Sequence, residues 1–110
     1  MLGEHKYTVF VDNAADEKML GHINFLEQAS VSAAERLSNK LCSGIDSLDF
    51  NPEGFPRYFT QKSAKIKTKN ILHYRLCDKQ RYRLVFDVIG GIVHIHDVQD
   101  CRQHQSKSLV

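Results

Sequence analysis

Three arginines, Arg75, Arg83 and Arg102, fall within or just after strand-like runs, and Lys62, Lys65, Lys67 and Lys69 alternate through the stretch before the first of them. His104 stands two residues behind Arg102. Cutting a phosphodiester requires a held phosphate, stabilisation of the negative charge that grows in the transition state, and protons moved on and off two oxygens. Guanidinium forks match phosphate oxygens and stay charged, so the arginines suit the first two tasks. A histidine titrating near neutrality suits the third. The same arginines would also make a solvated cationic face with His104 in a frayed tail, and the residue types leave both readings open.

Other constellations are weaker. His94 and His96 place two imidazoles on one face of a strand, which is metal-ligand spacing, but no further ligand recurs at a fixed interval, and neither a metal nor another cofactor is expected. Cys101 has the cation of Arg102 beside it to lower its pKa, yet no paired His and Asn that would make it a nucleophile. Gly90-Gly91 opens no helix, so it is not a phosphate loop. Tyr58, Phe59, Tyr74 and Tyr82 interleave with the basic residues and are able to stack bases, although alternation assigns Tyr74 and Tyr82 to a core.

The chain of 110 residues is 42% hydrophobic and 25% charged, which fits one globular domain over residues 1–110 and excludes wholesale disorder. Its apolar runs, such as Leu84-Val85-Phe86, are far shorter than the roughly 20 residues of a membrane-spanning helix. No membrane association is expected. The beginning of the chain lacks the pattern of a secretory signal, and Cys42, Cys77 and Cys101 lack disulfide or zinc spacing, so free thiols and a cytoplasmic location are expected. Net charge is +2, but its distribution is uneven. Residues 57–83 hold nine Lys/Arg against one Asp/Glu, while residues 1–56 hold four against nine and residues 84–110 two against three. A basic middle flanked by acidic ends suits a polyanion or an acidic partner.

Periodicity supplies the elements that must position these residues. Tyr7 to Val11 reads as a strand, Ala14 to Glu27 as a helix with Ala15, Met19, Ile23 and Leu26 on one stripe, and Ser32 to Leu48 as a second helix opened by a capping box at Ser32 and Glu35. The short link between them predicts a helical hairpin. Asn51-Pro52 ends it, Thr60 to Asn70 is an exposed loop, and strands follow at Ile71 to Cys77, Tyr82 to Val88 and Ile92 to Val98. Gly90-Gly91 supplies the turn between the last two. The expected fold class is α+β: a β-α-α-β-β-β order, a small antiparallel sheet and a helical hairpin packed on one face, with residues 99–110 as a partly flexible tail. Alternation assigns Tyr82, Leu84, Phe86 and Val88, together with Leu72, Tyr74 and Leu76, to the covered face. It leaves His73, Arg75 and Cys77 opposite, with Arg75 and Arg83 facing each other across an open face.

Several segments, taken in order, resemble one family. Phe25-Leu26, Ser32-Ala33-Ala34-Glu35-Arg36-Leu37, Ser47-Leu48, Asn51-Pro52-Glu53-Gly54-Phe55-Pro56, Arg81-Tyr82-Arg83-Leu84-Val85-Phe86 and Val98-Gln99-Asp100-Cys101-Arg102-Gln103 are similar to the RelE/ParE superfamily of toxins from type II toxin-antitoxin modules. The resemblance covers about residues 7 to 105. It implies a cognate antitoxin protein as partner, and either ribosome-dependent mRNA cleavage, as in RelE-like and YoeB-like members, or inhibition of DNA gyrase without nuclease activity, as in ParE-like members. On the ribonuclease branch, which the residues favour, Arg83 matches the arginine of the penultimate strand of YoeB-like nucleases. Cys101-Arg102-Gln103-His104 is similar to their C-terminal run. The resemblance thus implies catalytic roles for Arg83, Arg102 and His104, and beside it the basic residues Arg75, Arg81, Lys65, Lys67 and Lys69 are expected to contact RNA. Two positions depart from it: Gln105 stands where a tyrosine is expected, and no Asp or Glu lies between Gly54 and Cys77 to act as a carboxylate base.

Overall fold

A computed structural model describes residues 7–60, 68–103 and 108–110. The chain runs through strand β1 (Thr8–Val11), helices α1 (Asn13–Glu27) and α2 (Val31–Asp46), two single 3-10 turns, and strands β2 (Arg57–Tyr58), β3 (Leu72–Cys77), β4 (Tyr82–Ile89) and β5 (Ile92–Asp100). This is an α+β fold with a five-stranded sheet ordered β1-β5-β4-β3-β2.

The sheet is mixed, which corrects the antiparallel expectation. Short links hold β3, β4 and β5 antiparallel, whereas β1 lies parallel to β5, with Thr8 opposite Ile92 and Val11 opposite Ile95. A parallel pair needs a long crossover. The helical hairpin between β1 and the rest of the sheet provides one. Sequence reading also missed β2, whose two residues join the edge of β3 with Arg57 opposite His73 and Tyr58 opposite Leu72.

Helix α2 begins two residues before the expected capping box. Ser30, not Ser32, is the cap, its Oγ accepting from Ala33 N at 3.1 Å. The interhelical link decides this, because the N–H groups of Ala29 and Ser30 both donate to Leu26 O, at 3.0 and 2.9 Å, and leave no slack for a later start. The α2 stripe of Ala34, Leu37 and Leu41 then packs with Ala15, Leu48, Leu84, Phe86, Val93, Ile95 and Val98 into the main core, which is almost wholly buried. In the β4–β5 hairpin Gly90 and Gly91 adopt φ of 57° and 81°, a conformation that a side chain would strain.

The face assignment of β3 is reversed from expectation. Its register sets Arg75 beside Leu84, Cys77 beside Tyr82 and His73 beside Phe86, all on the helix side, while Tyr74 sits beside Val85 on the other. Arg75 and Arg83 therefore lie on opposite faces and do not share an anion. Gly44 of α2 makes this possible: a Cβ there would come within 2.5 Å of Cys77 Sγ and 3.7 Å of Arg75 Nη1, so the helix approaches β3 only because it is glycine. Burial pushes the Cys77 thiol up despite the nearby Arg75. On β5 the register slips at His96, so that Ile95 opposes Phe86 and Asp97 opposes Val85. This bulge brings Ile95 and Val98 to one face and Asp97 and Gln99 to the other, which simple alternation does not foresee.

Candidate nucleic-acid face

The face away from the helices carries a small second core, Tyr58, Leu72, Val85 and Val110 with Tyr74 against them, and a polar network around it. Arg83 of β4 stands at its margin, opposite Gln99 of β5. Its guanidinium carbon lies 5.3 Å from the centre of the Tyr58 ring and 5.6 Å from that of Tyr74, within cation–π range of both. Nε donates to Gln99 Oε1 at 2.8 Å. Gln99, buried, passes its amide group to Tyr58 Oη at 3.0 Å and Asp97 Oδ2 at 2.9 Å. Asp97, fully buried, also accepts from Lys18 Nζ at 2.6 Å and from Leu109 N at 2.7 Å. A buried carboxylate is stable only when so compensated.

The consequence for Arg83 is orientation. Two rings and one amide fix the guanidinium through its faces and Nε, and among the described residues Gln99 is its only hydrogen-bond partner. The two terminal nitrogens of the fork remain uncommitted there, which is the geometry that takes phosphate oxygens.

The structure does not gather the other expected residues around Arg83. Arg102 follows β5 and turns to the helix side, where N and Nε donate to Asp100 Oδ1, both at 2.9 Å, and Nη2 donates to Asp100 Oδ2 at 3.0 Å and Tyr82 Oη at 3.1 Å. Burial tends to raise the Asp100 carboxyl, but the bonds from Arg102 prevail and hold it below its usual value; in return Asp100 raises Arg102. With Lys18, His22, Phe25 and Tyr82, Arg102 walls a groove of about 790 Å³. Arg75 rests under the Phe55 ring, 5.7 Å from its centre, on the helix side. Arg81 and Lys69 are exposed at the turn before β4 and ahead of β3. Lys65, Lys67 and His104 lie outside the described residues.

Sequence reasoning named Tyr58 as a ring able to stack bases, not as a support of Arg83, and missed Asp97 and Gln99, which complete the setting of Arg83. The signal available was slight: an aromatic after Pro56, and polar residues at every second position near the end of β5. The histidine pair also has a structural assignment. His96 Nδ1 stands 2.8 Å from Asp12 Oδ2 and Nε2 stands 3.1 Å from Asp87 Oδ1, close contacts that lack hydrogen-bond alignment. Asp87 is buried, and its Oδ2 accepts a hydrogen bond from Asn70 Nδ2 at 3.1 Å. Among the described residues no three His, Cys, Asp or Glu side chains are placed to hold a metal. Cys101 is not activated: burial raises its thiol more than Arg83 and Arg102 lower it. Among the described residues no helix is long and apolar enough to cross a membrane.

Searches of family models, curated proteins and solved structures find no match to this chain.

Proposed function

We propose that the protein is the toxin of a type II toxin-antitoxin module of the RelE/ParE kind and acts as a ribosome-dependent mRNA endonuclease, with the uncovered sheet face as its RNA side. The observation that carries this reading is Arg83, held by Gln99 and two tyrosine rings with its terminal nitrogens uncommitted among the described residues. Such a fork binds a scissile phosphate and stabilises the charge that develops on it. The family resemblance adds His104 as the proton donor to the leaving oxygen and Lys65, Lys67, Lys69 and Arg81 as grips on the RNA backbone; Arg102, turned to the helix side and paired with Asp100, does not join Arg83 there. Arg75, drawn to the helix side, has no part in this scheme.

The antitoxin is the partner that the rest of the face suits. Residues 57–83 carry a net +8 in the sequence, and on the face away from the helices Phe10, Ile89 and Ile92 are exposed. An acidic, amphipathic segment would satisfy both features. Primer extension on mRNA in a translation extract, run beside a DNA supercoiling assay, tests the function. New 5′ ends that require ribosomes are the expected result. Intact mRNA with inhibited supercoiling would replace the nuclease by a gyrase inhibitor, and neither effect would remove the toxin reading.

A further inference from the structure

The network that orients Arg83 also holds a piece of the chain that the proposed chemistry does not use. Val110 lies on the uncovered face, and Leu109 beside it lines the groove walled by Lys18 and Phe25. Leu109 N donates to Asp97 Oδ2 at 2.7 Å, Val110 O accepts from Tyr58 Oη at 2.9 Å, and the Val110 side chain is completely buried with Tyr58, Leu72 and Val85. Both anchoring groups, Tyr58 and Asp97, are bonded in turn by Gln99, the residue that holds Arg83. Docking of this segment and setting of the arginine are therefore one network.

Unpaired RNA is bound by stacking its bases on aromatic rings beside a cation. Tyr58 and Tyr74 flank Arg83 as such a platform, yet Tyr58 is only 7% exposed, and Val110 is one of the residues packed against it. A base cannot reach that ring while the valine is there. We propose that Leu109–Val110 is a built-in competitor for the RNA face: docked, it closes the Tyr58 side of the platform, and single-stranded RNA binds by displacing it. This inference rests on the reading of the face as an RNA surface. A protein that binds only from a minor open state shows an affinity weakened by the fraction open, so loosening the segment should strengthen binding.

Two substitutions loosen it without adding negative charge. Val110→Asn places an amide in the apolar slot, and Leu109→Pro removes the N–H that Asp97 accepts. In the full chain, with melting curves to confirm folding, each variant is titrated against fluorescein-labelled single-stranded RNA by anisotropy, and hydrogen exchange at the Leu109 amide, which donates to Asp97, reports release of the segment in the wild type and in Val110→Asn. Faster exchange with RNA affinity raised by about tenfold or more is the expected result. Faster exchange with unchanged or weaker affinity overturns the competitor while leaving an RNA-binding wild type, and so the functional reading, intact. Failure of the wild type and both variants to bind RNA sinks both. The wild type alone provides a check that needs no variant: saturating RNA should speed exchange at the Leu109 amide, and unchanged or slower exchange contradicts displacement.

Discussion

The two faces of the sheet are built from the same strands but solve different problems. On the helix side, Leu84, Phe86, Ile95 and Val98 are sealed by Leu37 and Leu41, and the polar groups of His73 and Arg75 beside them bond to the Phe55 and Leu76 carbonyls. On the other, Arg83, Gln99, Asp97 and Tyr58 form a chain of hydrogen bonds in which each group needs the next. Apolar burial is non-directional and supplies stability; a buried polar network is directional and fixes where one side chain points. The difference separates the part that makes the protein fold from the part that aims Arg83.

Truncating each face would expose the contrast. Leu84→Ala on the helix side should cost about 2–5 kcal/mol in chemical denaturation, because the lost burial is added to the cavity left behind. Gln99→Ala should cost less, about 1–3 kcal/mol for the partners left unsatisfied, but it should misdirect Arg83 and so weaken RNA binding where Leu84→Ala, once folded, does not. Equal effects on RNA binding would erase the distinction between the faces.

The Asp100–Arg102 pair sharpens the comparison at the sheet's end. The Asp100 carboxyl is held below the usual 3.8 in the folded state, so its contribution is whole above that value and is lost as pH falls through the lowered one. Arg102 is 59% exposed, which limits the pair to about 0–1 kcal/mol. Asp100→Asn should flatten the stability profile on the acid side of pH 4 by that small amount. Smallest of all, exposed Lys69→Gln should change stability by no more than about 0.5 kcal/mol. If Lys69 meets an RNA phosphate, the slope of log affinity against log salt should also flatten by about 0.7.

Local signals were legible where one residue type dictates one backbone state. Gly90-Gly91 demanded a positive-φ hairpin turn, and the spacing of Leu37 and Leu41 demanded a buried helical stripe. The α+β class followed from the same patterns. Features set by distant partners were not legible. Strand β3 is apolar on the face opposite the main core because Tyr58 and Val110 arrive there from far along the chain, and Gly44 admits Arg75 and Cys77 on the helix side. The His96 bulge follows no alternation either, since the slip in register belongs to the pairing with β4. Arg83 could be assigned to a face away from the helices by alternation, but not the rings and amide that hold it.

The central claim is that the Arg83 fork holds the phosphate that is cut. Arg83→Lys keeps the charge and loses the fork, and its most direct test is the rate of ribosome-dependent mRNA cleavage beside wild type, with circular dichroism confirming the fold. A loss of about 100-fold or more is predicted, in the range seen when a preorganised donor to a transition-state charge is removed. Cleavage at the wild-type rate by a folded Arg83→Lys protein would contradict the account.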